Sequence, residues 1–387
     1  MNSNINDSLG NVFCNIYLKK ICPTNKILLI FIILNIASCG TSKKQVQQET
    51  TKEYLGLSHH YKEYFPIGVA VSPRALTGNQ AELIKKNFVS MTPENVMKSG
   101  PIHPKEDTYN WEPADKIAAF AKANNMKLRG HALVWHNQTP DWLFVDEAGN
   151  EVSKEVLLKR LEAHITSVVT RYKDVIYAWD VVNEAISDRE NEFYRDSKWF
   201  RICGEEFIIK AFEFARAADP DVQLFYNDYE VINPVKREKI YQLVTKLQAN
   251  GVPIDGVGIQ GHWSVFEPSE KVLKETIEKF TGLGLQVQIT ELDVSIYYKE
   301  HSARAEREDD DDSFTEDLKQ KQIEQYDMIF RVFRENRDNL SSVTFWNVSD
   351  QYSWLDNFPV KNRKDYPLLF DQENKPKEAY WKVVDFD

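Results

Sequence analysis

The sequence is poor in everything that would make it a nucleic-acid binder. Its 48 Lys and Arg are outnumbered by 59 Asp and Glu, the net charge is −11, and no basic stretch stands out. Phosphate contacts depend on clustered Lys and Arg, so no nucleic-acid partner is expected. Cysteine is also scarce. Four Cys at irregular spacing exclude a disulfide scaffold and the usual zinc spacings. No apolar run reaches the ~18 residues of an ordinary membrane-spanning helix. What is present is a globular composition, 42% hydrophobic and 12% aromatic, which is enough apolar material for a large core.

The first fifty residues differ from the rest. Lys19, Lys20 and Lys26 precede an apolar run over 27–36, followed by Ala37, Ser38 and Cys39. A basic segment, a ten-residue apolar segment and small residues read as an export signal. Ile36-Ala37-Ser38-Cys39 also resembles the bacterial lipobox, in which the cysteine is lipidated and becomes the first mature residue. A plain secretory signal is the alternative. The expected organisation is a lipoprotein signal over 1–38, a polar tether over 39–58 and one catalytic domain over 59–387. Only Cys39 and Cys203 would survive processing, which leaves no internal disulfide and a structural, buried Cys203.

Beyond the tether, short apolar or β-branched runs alternate with helical patterns. Strands are expected over 67–72, 88–92, 127–135, 175–182, 223–227, 256–260, 286–291 and 343–348. They look apolar on both faces, as parallel strands under helices do. Between them, Leu157, Leu161, His164, Ile165, Val168 and Tyr172 repeat at helical spacing. Asn233-Pro234 reads as a helix start and Asn250-Gly251 as its end. Ser313 and Glu316 can form a capping box before a helix reaching about Asn336. Eight strand–helix units over about 330 residues predict an α/β fold, a single (β/α)8 TIM barrel. A doubly wound open sheet is the alternative. It usually carries a glycine-rich phosphate turn after its first strand, where this chain has Val71-Ser72-Pro73-Arg74.

Catalytic groups of such barrels sit at the carboxyl ends of the strands. Two carboxylates stand there: Glu184 after the fourth strand and Glu291 at the end of the seventh. Paired carboxylates suit glycosidic cleavage, in which one protonates the leaving oxygen and the other attacks or activates water. Other strand ends carry Glu94, Asn95 and Lys98; His131, Trp135, His136 and Gln138; Asn227, Asp228 and Tyr229; Gln260, His262 and Trp263; and Trp346 and Trp354. Aromatic faces stack on sugar rings, and amides, His and Lys bond hydroxyls, so this rim reads as an open sugar-binding cleft. The acidic run 306–312, six acids and one Arg, reads as a solvated loop, with a cation site as the alternative.

Trp179–Ala185 (WDVVNEA) and Ile289–Val294 (ITELDV) resemble the two active-site signatures of glycoside hydrolase family 10, the endo-β-1,4-xylanases. TPENVMK at 92–98, GHALVWHNQTPDW at 130–142, YNDYE at 226–230, GVGIQGHW at 256–263 and TFWNVSDQYSWL at 344–355 agree. The resemblance runs from about Tyr61 to the C-terminus and implies the (β/α)8 barrel. It implies a retaining double displacement without cofactor or metal, with Glu184 as acid/base, Glu291 as nucleophile and the two carboxyls about 5–5.5 Å apart. That chemistry requires Glu184 protonated at the start and Glu291 ionised.

The resemblance further implies that Asn183 contacts the sugar 2-hydroxyl, and that His262 bonds Glu291 and is held by Asp293. Glu94, Asn95, Lys98, His131, Trp135 and Gln260 would line the non-reducing side. Gln138 and Tyr229 would be further contacts. Trp346 and Trp354 would roof the catalytic subsite and disfavour a sugar bearing a C6 hydroxymethyl. The expected partners are xylan and xylo-oligosaccharides, with a membrane reached only through the lipid on Cys39. The expected state is an exported monomer, anchored in the outer membrane or secreted. Other readings are a different β-1,4-glycanase or a non-catalytic xylan-binding lipoprotein. Departures from the family pattern are Ser99 after Lys98, Asn347 after Trp346 and the acidic run on the loop after the seventh strand.

Overall fold

The computed structural model describes residues 54–386, apart from His301, Glu308 and Asp309. The export signal over 1–38, Cys39 and the tether as far as residue 53 lie outside the described residues.

The strands are β1 (Ile67–Val71), β2 (Ser90–Pro93), β3 (Lys127–Gly130), β4 (Ile176–Asn183), β5 (Gln223–Asp228), β6 (Gly256–Ile259), β7 (His262–Ser264), β8 (Gln286–Ser295) and β9 (Leu340–Phe345). Neighbours pair in parallel from β1 to β6, β6 pairs with β8, β8 with β9, and β9 returns to β1 through Ile67–Val343. Eight strands therefore close into a barrel with helices in the connections, the expected (β/α)8 fold. The short β7 is an addition that lies only on the outer half of β8, pairing His262 with Asp293.

Local chemistry explains the helices. Ser153 caps the helix Lys154–Tyr172, which buries Leu157, Leu161, His164, Ile165, Val168 and Tyr172 as their spacing predicts. Burying each large apolar side chain contributes roughly 1.5–3 kcal/mol. Asn233 caps the helix Pro234–Ala249 through the amides of Val235 and Lys236, and Gly251 follows in the left-handed region at φ 71°. The capping-box expectation is corrected. Thr315, not Ser313, accepts from Leu318 N and starts the helix Glu316–Glu335.

Three further expectations change. β3 ends at Gly130 rather than at 135, because Leu133 N turns to Asp180 O and Val134 makes only an isolated bridge to Val182. β8 runs past Glu291 to Ser295, because β7 supplies it with a partner there. The barrel interior is not apolar throughout. Buried Arg129 donates to Asp180 Oδ1 at 2.5 Å and to Gln288 Oε1 at 2.7 Å, and Ser90, Thr92, Thr290, Ser342 and Thr344 are buried with it. A buried charge this deep is tolerated because it is paired and hydrogen-bonded.

Residues 54–58, expected in the tether, pack on the barrel. Leu57 is buried, and Tyr54 meets Tyr380 and Trp381 edge-on. Apolar side chains hold them there, so the barrel domain takes in residues 54–58 of the expected tether. Cys203 is buried, and burial pushes its thiol up to about 11, which makes it inert.

Candidate active site

A cleft of about 990 Å³ opens at the carboxyl ends of the strands. Glu184 is the first residue beyond β4 and stands in the left-handed region at φ 58°. Its backbone is clamped from both sides: its N–H donates to Asn227 O, and Arg195 Nε donates to its carbonyl, both at 2.9 Å. Such a backbone conformation costs about 1–3 kcal/mol and persists where its surroundings fix it. Its carboxylate accepts from Trp135 Nε1 at 2.7 Å, Gln260 Nε2 at 2.9 Å and Asn183 Nδ2 at 3.2 Å.

Glu291 lies within β8. Asn227 Nδ2 donates to its Oε1 at 2.8 Å, and His262 Nε2 stands 3.3 Å from its Oε2. Asn227 Nδ2 also bonds Asn183 Oδ1 at 2.9 Å, so amides connect the surroundings of the two carboxylates. Burial works to raise the pKa of Glu291. The positive field of His131, His262 and Lys98 outweighs it and holds the carboxyl down at about 2. His262 Nδ1 lies 2.8 Å from Asp293 Oδ2. Burial works to lower the pKa of His262, but Asp293 and Glu291 overcome it and lift the imidazole to about 9. Asp293 also accepts from Trp354 Nε1 at 2.9 Å, which fixes that indole over the cleft.

On the opposite flank, Lys98 Nζ donates to Asn95 Oδ1 at 3.0 Å and faces the Trp135 ring at 4.7 Å. Burial lowers its pKa against the pull of Glu291, Glu94 and Glu184. His131 is held by Asp180 at 2.8 Å and meets Trp346 edge-on. Gln138 donates to Asn95 at 3.3 Å. Asn347 donates from Nδ2 to Glu94 Oε2 at 3.2 Å, from a backbone at φ 111°. Ser99, the other departure, is buried and donates to Leu133 O, away from the cleft.

All the expected substrate-side residues line the same cleft: Glu94, Asn95, Lys98, His131, Trp135, Gln138, Asn183, Tyr229, Gln260, His262, Trp346 and Trp354, with Glu184 and Glu291. Asp293 stands behind His262. Trp263 is corrected. It is 4% exposed and packs on Phe333, so it belongs to the core and not to the rim. Cys39 lies outside the described residues.

Some cleft residues had no sequence signal of their own. Phe358 is 41% exposed, lines the cleft and stacks on Trp354 at 5.5 Å, yet it sits in an irregular loop. Asp188 and Lys236 pair at 2.7 Å, and Lys236 Nζ lies 3.5 Å from the Tyr229 ring centre. Burial works to raise the pKa of Asp188, and Lys236 together with Tyr229 and Arg195 brings it to about 2. From the loop after β8, Glu300 reaches the cleft paired with Arg304 and, at 2.8 Å, Arg363. Arg304 also binds Asp310 at 2.6 Å, so part of the acidic run is charge-compensated.

A closed (β/α)8 barrel with two carboxylates in an aromatic-roofed cleft belongs to a recognisable class, the barrel glycosidases. The family model "Glycosyl hydrolase family 10" matches residues 56–386, and the chain belongs to that family. A β-1,4-xylanase of Dictyoglomus thermophilum is 47% identical, over 93% of this chain and 98% of the relative. Endo-1,4-β-xylanase B of Paenibacillus barcinonensis is also 47% identical, over 87% of this chain and 99% of its own. A solved structure of a mutant in complex with xylotriose superposes with TM-score 0.83 at 48% identity, over 86% of this chain and all of that one.

Proposed function

We propose that this chain is an endo-1,4-β-xylanase that cleaves internal bonds of xylan with retention of configuration. The observation that carries the reading is the pair of differently held carboxylates. Glu291 is kept ionised by His131, His262 and Lys98, as a nucleophile must be. Glu184 is aimed into the same cleft by Trp135 and Gln260. In the first step Glu184 protonates the departing glycosidic oxygen while Glu291 attacks the anomeric carbon and forms a glycosyl-enzyme. In the second, Glu184 takes a proton from water, and that water releases the sugar from Glu291.

The imidazolium of His262 donates to Glu291 and to Asp293, which keeps the nucleophile oriented. Asn183 reaches the sugar 2-hydroxyl beside the scissile bond. Trp346 and Trp354 cover the catalytic subsite and leave little room for a C6 hydroxymethyl. The relatives named as xylanases, and the xylotriose bound in a solved structure 48% identical to this chain, support this substrate class.

The N-terminal pattern supports export, with Cys39 as the lipidated residue and the enzyme acting as a tethered monomer. Cys39→Ser would then move the enzyme from the membrane fraction to the soluble one.

The test of the activity is a product profile on soluble arabinoxylan, with carboxymethylcellulose and β-glucan in parallel. A ladder of xylo-oligosaccharides and no glucan products is expected. Xylose alone would overturn the endo reading, glucan products would point to another glycanase, and xylan binding without products would mean a non-catalytic barrel.

A further inference from the structure

We propose that Phe266 and Tyr298 form a second carbohydrate-binding station on the rim, a stacking shelf for xylan chains that extend beyond the cleft. The proposal rests on the xylan reading above and adds a site outside the cleft.

The two rings lie face to face, 3.8 Å between centres and 8° from parallel. Tyr298 is 72% exposed, the highest value among the exposed large hydrophobic side chains, and Phe266 is 36% exposed. A lone exposed tyrosine is ordinary, but a rigid, solvent-facing aromatic pair is a built surface. Stacking holds the Tyr298 ring in one orientation, so little side-chain freedom is left to lose on binding. The axial C–H face of a β-linked pyranose is apolar and slightly positive, and it complements the negative face of such a ring.

The position favours a polysaccharide. Phe266 follows β7 and Tyr298 follows β8, both at the carboxyl ends where the cleft opens. Val265 N donates to Ser295 O at 2.9 Å and joins the two loops. Tyr298 directly precedes Lys299 and Glu300, which line the cleft, and Lys299 Nζ donates to His262 O at 3.2 Å. Shelf and cleft are thus made from the same two segments.

The adjacent charges are compensated. Lys299 pairs with Glu230, and Lys321, 5.6 Å from the Phe266 ring centre, pairs with Asp317 at 2.7 Å. A neutral chain suits that surface better than a charged ligand. Two rings of ~150–250 Å² each fall well short of the ~1,200 Å² of a stable protein interface, which disfavours a second copy of this chain as occupant.

The experiment compares Tyr298→Ala and Tyr298→Trp with the wild type on xylotetraose and on long soluble arabinoxylan. It adds native gel retardation by arabinoxylan in a Glu291→Gln background. Tyr298→Ala is expected to lose kcat/KM on the polymer about fivefold more than on xylotetraose, a typical stacking effect. Its gel retardation falls and its melting temperature holds, and Tyr298→Trp restores both polymer activity and retardation. Equal losses on the two substrates, or unaltered retardation, would overturn the shelf. So would a wild-type dimer that Tyr298→Ala dissociates. A wild type inactive on both substrates would refute the xylanase reading, while the retardation arm still judges the shelf.

Discussion

Asn227 reaches Glu291 across an intervening strand. Asn227 belongs to β5 and Glu291 to β8, with β6 between them, yet Asn227 Nδ2 donates to Glu291 Oε1 at 2.8 Å. The path exists because β6 carries glycine where the side chain crosses. A Cβ on Gly258 would stand 2.2 Å from Asn227 Oδ1 and 3.0 Å from Thr290 Cγ2. Gly258→Ala therefore displaces Asn227 and leaves Glu291 with a changed donor set. A fall in kcat of about tenfold to a hundredfold is expected, with about 1–3 kcal/mol of lost stability. Steady-state kinetics and thermal melts check both; wild-type kcat in a well-folded Gly258→Ala would contradict the crossing.

Removing each carboxylate should produce a different defect. Glu291→Ala abolishes turnover on every substrate with the fold intact. Glu184→Ala loses xylan hydrolysis but still forms the glycosyl-enzyme from aryl xylobiosides whose phenolate leaves without a proton. Added azide, an anion that needs no general base, then speeds its turnover and yields a β-xylobiosyl azide product. Pre-steady-state bursts and product analysis read both steps. Equal impairment of the first step on xylan and on the activated aryl glycoside would remove Glu184 from the acid role.

Asp293 and Glu291 lift the pKa of His262 from 6.5 to about 9. A raised folded-state value means the stabilisation is complete below about pH 6.5 and is lost as pH climbs through 9. Glu291 runs the other way: its contribution is present above about pH 4.5 and fades as pH drops toward 2. The His262 imidazole should titrate by NMR near 9, and Asp293→Asn should lower that midpoint. Wild-type stability should decline between pH 6.5 and 9, and His262→Gln should flatten the decline. A midpoint near 6.5 would exclude the charged imidazole.

Asn347 offers a test of strain against tethering. At φ 111° a glycine would relieve about 1–3 kcal/mol, while the bond to Glu94, a charged acceptor, contributes about 1.5–3 kcal/mol. These nearly offset, so Asn347→Gly should melt close to the wild type. The untethered Glu94 should raise KM on xylo-oligosaccharides a few-fold at similar kcat. An unchanged KM would show that the tether does not serve binding.

The eight-strand alternation, the cleft residues at the strand ends and the helix facing inward through Leu161 and Val168 were legible in the sequence, because periodicity and strand-end chemistry are local. Errors arose where the determinant is tertiary. The continuation of β8 beyond Glu291 depends on β7 pairing with it, which no local pattern encodes. Arg129 inside the barrel depends on Asp180 and Gln288 from other strands. Ser313 and Thr315 are both competent caps, but the Ser313 hydroxyl donates to Asp311 and Thr315 takes the cap. Trp263 resembles its neighbours Gln260 and His262 in the sequence, but strand alternation turns it into the core. Phe358 sits in a loop without periodicity, so only its stack on Trp354 marks it.

Tyr54 and Leu57 lie against the C-terminal helix and the end of the helix Gly78–Asn87, where Lys86 covers the Tyr54 ring at 3.8 Å. That end of the helix precedes β2, so it belongs to the barrel face opposite the cleft. Tyr54 therefore stands at the back of the barrel, away from the opening. Immobilised on a bead through the face that carries Tyr54, the enzyme would present its opening outward to an insoluble fibre.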